Sequence, residues 1–465
     1  MNLLQIIKEN HLVDLLVNGT FGLEKEGLRA VSPAKLATSM HPESLGNREV
    51  NPHIKTDYGE AQPEIITPPL APYAKAHNWL QTLSYVLLAN LPEEEYMWPF
   101  SVPCQLPEDE RLINISNTTN QELAEYRLYT ASKYGKKRQL VNGIHINYSF
   151  DSNFLELLFA NQQEFETLEN MRNELYLKLA SNFLRYQWLL VYLFGATPVA
   201  EDNFFDAPFF KDQPLPTEPM RSLRNSKYGF TNNPKVTVRY DSVENYAFDL
   251  QQAVKEGLLK KEREFYGSVR LRGIVKDSVS LLENGIQYLE IRSFDNDPFE
   301  VSGISEENLQ FIHLFFITML CLPEKVDAKE TEKGNELTKK VASEHPFSKT
   351  TVLEEGYWLL GQMQKVITTF ELPYDYAELV NLAAKALEFP EKTIAGQINL
   401  ILESGTSLLT MGEELGLQHK KDLLSIKALP GFEHLSLAQQ LQIVNSLQLG
   451  SAIPVEYIEE IHAVD

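Results

Sequence analysis

The chain has 465 residues, 43% of them hydrophobic and 23% charged, which is ample for a folded core and argues against extended disorder. A formal net charge of −22 argues against nucleic acid or an anionic membrane as the main partner, because both reward basic surfaces. Two cysteines, Cys104 and Cys321, make neither a disulfide framework nor a zinc site, so a reducing cytoplasmic setting is expected.

Residues 1–17 read as an amphipathic helix that Asn18-Gly19 can stop, with no basic segment of the kind that opens a signal peptide. Phe21 to Arg29 follows as a strand in which Glu24 and Glu26 share one face while Leu23, Lys25 and Gly27 share the other. The stretch Lys55 to Pro69 is strand-like, with Pro63 implying an edge or a bulge, and would set Glu60 and Glu64 on one face. Helical spacing returns over 73–90 and over 120–133, the latter ending at Tyr134-Gly135 before the basic run Lys136 to Arg138.

Leu140 to Ser149 alternates cleanly, with Gly143, His145 and Asn147 on one face and Ile144, Ile146 and Tyr148 on the other. A long helical region over 153–193 precedes a loop-rich stretch over 195–235, and 264–274 and 285–294 are the next strands. The last of these places Tyr288, Glu290 and Arg292 on one face. Beyond Ser305 the pattern is mostly helical, and its most apolar run, Phe311 to Leu322, is too short to span a bilayer. The expected division is a catalytic core over 1–325 and a helical support region over 326–465 packed on it.

The chemistry-capable residues gather before position 300. Glu24, Glu26, Asp57, Glu60, Glu64 and Glu290 give up to six carboxylates on three strands, and His145 lies on a fourth. Oxygen-rich sets with one imidazole suit Mg²⁺ or Mn²⁺ better than Zn²⁺. The bland alternatives are a solvated face for Glu24 and Glu26, and a cross-strand ion pair for Glu290 and Arg292 worth about 0–1 kcal/mol. No phosphate-binding glycine loop is present, so phosphates would fall to Arg127, Arg221, Arg224, Arg270 or Arg292. The run Lys136 to Arg138 reads as a solvated loop, with a mobile phosphate cover as the alternative.

Six motifs occur in order: Gly22 to Arg29, Thr56 to Pro68, Met97 to Pro103, Asn142 to Asn147, Tyr192 to Pro198 and Gly285 to Ser293. With them the chain resembles the bacterial glutamate–cysteine ligases, most closely the ligase half of the bifunctional glutathione synthetases. The resemblance implies an α+β fold of the glutamine synthetase and guanidino kinase kind, its antiparallel sheet forming a funnel-shaped active site with flanking helices. It implies ATP-dependent joining of the L-glutamate γ-carboxylate to the L-cysteine α-amine through γ-glutamyl phosphate, in the cytoplasm, with glutathione as a feedback inhibitor. By the same resemblance Glu24, Glu26, Asp57, Glu64, His145 and Glu290 are metal ligands for Mg²⁺ or Mn²⁺, and Arg292 and Arg127 stabilise the transferring phosphoryl group. Arg224 holds a substrate carboxylate, and Tyr58, Tyr126, Thr130, Gln139, Phe230 and Tyr266 form the acceptor pocket.

Two positions depart from that pattern, which has Tyr at position 230 and an apolar residue at position 130, where this chain has Phe230 and Thr130. A γ-glutamyl ligase for another small amine, and a non-catalytic sensor of glutamate or nucleotide, are the other readings. Because the resemblance stops before any ATP-grasp domain, the chain is expected not to make glutathione by itself.

Overall fold

The alternating segments pair into two antiparallel sheets, and the helical segments cover the apolar face of the larger. The computed structural model describes residues 3–230, 232–233, 235–454 and 457. Its strands are β1 (Thr20–Glu26), β2 (Leu28–Val31), β3 (Lys35–Leu36), β4 (Ile54–Thr56), β5 (Pro63–Ile66), β6 (Glu95–Trp98), β7 (Ile144–Ser149), β8 (Val269–Arg272) and β9 (Tyr288–Phe294). Six form one sheet in the order β4-β5-β1-β7-β9-β8, and β3-β2-β6 form a second. All neighbours in the larger sheet are antiparallel.

One face of the larger sheet is hydrocarbon. Leu23, Ile65, Ile146, Leu271, Leu289 and Ile291 are buried there with side chains of the helices Tyr73–Ala89, Leu168–Tyr186 and Glu306–Cys321. Each such side chain contributes about 1.5–3 kcal/mol on full burial, so this layer anchors the sheet. Thr167 and Ser305 cap two of these helices by accepting hydrogen bonds from the backbone N–H groups of Asn170 and Asn308.

The helices after residue 326 join the same cores. Val341, Leu359 and Met363 belong to the cluster under the larger sheet, and Ile398, Leu408 and Met411 to the cluster under the smaller one. Helix Leu408–Leu424 lies so close to β6 that a Cβ on Gly412 would stand 2.1 Å from the Trp98 ring. Glycine at that position lets the helix backbone rest on the aromatic surface.

Several elements differ from their sequence expectation. The first helix is two, Leu3–Glu9 and Val13–Val17, parted where His11 takes a left-handed φ of 53°. The helical region over 153–193 divides into Ser152–Ala160, Leu168–Tyr186 and Trp188–Phe194. Lys55 to Pro69 is a hairpin instead of one strand, and Pro63 opens β5, where its missing N–H is tolerated. Glu60 therefore lies in the connecting turn, away from Glu64. Among the described residues no helix is long and apolar enough to cross a membrane.

His313 sits in the middle of this core, fully buried, with neither ring nitrogen hydrogen-bonded and with Phe21 edge-on at 5.1 Å. Burial pushes its pKa from 6.5 down to about 3. The folded protein keeps the ring neutral, whereas the unfolded chain takes up a proton below pH 6.5. Stability is thus complete above that pH and falls as pH drops towards about 3, by about 1.4 kcal/mol per unit. Denaturant unfolding of His313→Phe at several pH values is expected to show a shallower loss by that amount. Parallel pH profiles for the two proteins would contradict it.

Candidate active site

The second face of the larger sheet carries the charges. Antiparallel register sets Glu26 opposite Glu64 and Glu24 opposite His145. Asp57 joins them from the turn between β4 and β5. His145 Nδ1 lies 3.1 Å from Glu24 Oε2 and its Nε2 lies 3.6 Å from Glu26 Oε1. Burial and the nearby Arg292 charge push the imidazole down to about 4, so the ring is neutral. With Glu24 as acceptor the ring hydrogen sits on Nδ1, leaving the Nε2 lone pair facing Glu26.

Three other acids, Glu26, Asp57 and Glu64, crowd this end, and Arg292, Arg224 and Arg127 offset only part of their charge. Burial, then the charges of Glu24 and Asp57, push Glu64 up to about 8. Burial and Asp57 hold Glu26 well above its ordinary range, and burial raises Asp57 as well. Among the described residues, no lysine or arginine forms an ion pair with any of the three.

The opposite end of the face is rich in cations. Glu290 on β9 is ion-paired with Arg272 and Arg292, and Arg270 Nη1 stands 3.9 Å away. Burial works against its charge, yet Arg292, Arg270 and Arg272 together hold Glu290 well below the carboxylate range. Lys276 Nζ comes within 4.0 Å of Glu24 from the loop after β8. One oxygen or nitrogen atom each from Glu24, His145 and Glu290 lie within 4.8 Å of one another, close enough to share an ion.

A third wall is aromatic. Phe230 stacks on Tyr266 with centroids 4.5 Å apart and planes 12° from parallel. Helix Gln121–Tyr134 brings Tyr126, Arg127 and Thr130 to the same space. Thr130 Oγ1 donates to the Arg127 carbonyl at 3.0 Å, so its hydroxyl is spent on its own helix. The Tyr58 hydroxyl and the Gln139 amide nitrogen are buried without a hydrogen-bond partner. The helix is held at its end by Glu264, which accepts from Tyr134 Oη and Lys133 Nζ, both at 2.6 Å.

These walls enclose a cleft of about 1740 Å³. The fifteen residues singled out in the sequence as metal ligands, phosphoryl stabilisers or substrate contacts all line it. Three sequence expectations are corrected. Arg221 lies outside the cleft, donating to the carbonyls of Pro346 and Ser348 while stacked 3.9 Å over Tyr192. Glu60 pairs with Arg48 and accepts from the His41 N–H, apart from the acid cluster. Lys137 and Arg138 are buried, the latter 3.4 Å over the Phe209 ring, so the basic run is neither solvated nor a phosphate cover. Arg127 also spends two donors on the carbonyls of Ser116 and Asp57, which braces the turn carrying Asp57.

Arg272 and Lys276 were missed. The first was legible, since alternation in Arg270-Leu271-Arg272 puts both arginines on one face. Lys276 follows a turn, where alternation no longer predicts direction.

A model of the glutamate–cysteine ligase family matches residues 4–341. The chain belongs to the glutamate–cysteine ligase family. It is 38% identical over 463 residues to the glutathione biosynthesis bifunctional protein of Pasteurella multocida and 35% identical over 462 residues to that of Enterococcus faecalis. The matches cover 99% of this chain and 60% of each relative, so the chain spans about three-fifths of the curated relatives' length. The crystal structure of the Pasteurella multocida bifunctional glutathione synthetase superposes with a TM-score of 0.90 over 96% of this chain and 58% of that one. A Francisella tularensis glutamate–cysteine ligase, solved in complex with AMP, shares the fold with a TM-score of 0.81 at 24% identity, over 97% of this chain and 95% of that one.

In this member of the ligase family the acid end fits a hard divalent cation. Three crowded carboxylates, Glu26 buried and Asp57 and Glu64 half-buried, stand beside a neutral imidazole and offer oxygen donors and one nitrogen, and their mutual repulsion eases when further positive charge arrives. Glu64 holds a proton below about pH 8, so a cation bound at pH 7 must expel it, and affinity rises with pH until that proton is gone. Calorimetric titration of Mg²⁺ at pH 7 in two buffers of different ionisation enthalpy is expected to report net proton release on binding. Heats independent of the buffer would contradict this arrangement.

Proposed function

We propose that the chain joins the γ-carboxylate of L-glutamate to the α-amine of L-cysteine with consumption of ATP. The observation that supports this most directly is one cleft with three chemically distinct walls: unpaired acids, clustered guanidiniums and an aromatic surface with unpartnered polar atoms. In the first step a γ-carboxylate oxygen attacks the terminal phosphorus of ATP, giving γ-glutamyl phosphate and ADP. In the second the amine attacks the acyl carbon, and the tetrahedral adduct expels phosphate and loses a proton. Neither step needs a protein nucleophile, only positioning and charge neutralisation.

Glu24, Glu26, Asp57, Glu64, His145 and Glu290 would hold Mg²⁺ or Mn²⁺. The ions would neutralise phosphate charge and hold the nucleotide against the γ-carboxylate. Arg292 reaches the cleft beside Glu290 and is placed to meet the transferring phosphoryl group, with Arg127 behind it. Arg224 faces Glu26 from the other side and suits a substrate carboxylate, because a guanidinium matches its two oxygens. Tyr58 and Gln139 supply the buried polar atoms that a small acceptor can satisfy, and Tyr126, Thr130, Phe230 and Tyr266 exclude water around it.

We also propose that the sheet and cleft correspond to the funnel of glutamine synthetases and guanidino kinases. Residues 1–325 would carry the chemistry, and the helices of 326–465 would brace it, lending the helix Ala328–Ala342 to the cleft wall.

A ligase for another small amine is the second reading, favoured by Phe230, which brings no hydroxyl to the acceptor wall. ADP release with ATP, Mg²⁺, L-glutamate and a panel of amines separates the two. Cysteine is expected to give the highest kcat/KM, and an equal response to several amines would overturn the first reading. Thr130→Val is expected to leave the KM for cysteine within about twofold, since the hydroxyl already serves the helix. Phe230→Tyr is expected to lower that KM severalfold, by about the worth of one hydrogen bond. An unchanged value would show that the missing hydroxyl is irrelevant.

A further inference from the structure

Arg224 stands in an irregular loop, yet its guanidinium is fixed on three sides. Its Nη2 donates to the Arg292 carbonyl at 2.8 Å, and its Nη1 lies 4.0 Å from Asp295 Oδ1. Its flat face lies against the backbone of Gly143, where a Cβ would come within 2.4 Å of Nη2 and 2.5 Å of Cζ. Glycine at 143 is thus required by the arginine, since its φ lies outside the left-handed range and any residue could adopt it.

Asp295 ties the loop itself. Its Oδ2 accepts from the Ala196 N–H at 2.8 Å, Thr197 Oγ1 at 3.0 Å and Ser222 Oγ at 2.8 Å, and its Oδ1 accepts from Asn225 Nδ2 at 3.2 Å. Thr197 Oγ1 in turn accepts from the Arg224 backbone N–H at 3.2 Å. The carboxylate is fully buried, so it joins the loops over 196–197 and 222–225 to the end of β9 with no competition from water.

We propose that Gly143 and Asp295 are positioning residues that, with the Arg292 carbonyl, cradle Arg224 and aim its remaining donors at the cleft beside Glu26. The inference rests on the reading that Arg224 holds a substrate carboxylate. Its physical content is pre-organisation: a long side chain on a loop otherwise loses rotamer freedom each time substrate binds. Because the guanidinium is the movable end of a flexible side chain, Gly143→Ala should fold normally and displace Arg224, leaving the sheet in place. Asp295→Asn turns one accepting oxygen into a donor facing Asn225 and Arg224, which loosens the same loop.

The test compares wild type, Gly143→Ala, Asp295→Asn, Arg224→Ala and the double variant of Gly143→Ala with Arg224→Ala, with glutamate, amine and ATP varied in turn. Gly143→Ala and Asp295→Asn are expected to raise KM for one amino-acid reactant by on the order of tenfold to a hundredfold, with the KM for ATP within about twofold. Arg224→Ala should raise the same constant at least as much, and adding Gly143→Ala to it should change nothing further. Additive effects in the double variant, or an unchanged KM in Gly143→Ala, would overturn the cradle. If Arg224→Ala alone leaves every KM unchanged, the carboxylate role of Arg224 fails instead. The crystal structure of Gly143→Ala decides the cradle apart from turnover: Arg224 moved off the Arg292 carbonyl supports it, and Arg224 unmoved refutes it.

Discussion

Glu24 and Glu26 stand two residues apart on β1, and the register of β1 against β5 and β7 adds Glu64 and His145 to the same patch. Everything else in the cleft answers to the crowding of those charges. Carboxylates buried side by side raise one another's proton affinity unless something positive intervenes. At the β9 end the protein supplies that charge itself, through Arg270, Arg272 and Arg292 around Glu290. At the β5 end Glu26, Asp57 and Glu64 form no ion pair with a lysine or arginine among the described residues, and Arg224, Arg292 and Arg127 offset only part of their charge. The sheet is therefore electrically asymmetric along its width.

This asymmetry depends on the opposite face. Like charges can be held together only where the backbone cannot yield, and the hydrocarbon layer under Leu23, Ile146, Leu289 and Ile291 provides that rigidity. An antiparallel sheet suits such a division, since alternation assigns every second side chain to one side or the other. Where the pairing of β7 with β9 shifts between Ile144 and Ile146, Arg292 and Ser293 both stand opposite His145, one residue more than regular pairing allows. Alternation from Glu290 keeps Arg292 in the cleft, and Ser293 turns away to donate to Gln187.

Period-two alternation made the sheet legible in the sequence, and it assigned Glu24, Glu26, His145, Glu290 and Arg292 to the faces they occupy. It failed wherever the chain leaves a strand. Alternation through Pro63 groups Glu60 with Glu64, whereas Pro63 begins a new strand. Arg221 and Arg224 lie three residues apart in the same loop, and nothing local distinguishes the buried brace from the cleft residue. Their difference is set by Glu344 and Asp295, 123 and 71 residues further along. Arg138 is hidden for a similar reason, since its partners Phe209 and Phe230 come from a loop whose path no propensity fixes. The resemblance to a known family filled part of that gap by naming Tyr58 and Tyr266, neither of which periodicity could place.

The helix Gln121–Tyr134 buries only Thr130 and Tyr134, and Glu264 gathers Lys133 and Tyr134 at its last turn. Little apolar surface holds the rest of it down, so its opening free energy is set by a few polar contacts and not by the core. This helix is consequently the part of the cleft wall most ready to open locally, while Arg270, Arg272 and Arg292 stay fixed on β8 and β9. Arg127 on this helix donates to the carbonyls of Ser116 and Asp57, so opening of that side also frees the turn that carries Asp57, and order at the aromatic wall is coupled to order at the acid wall.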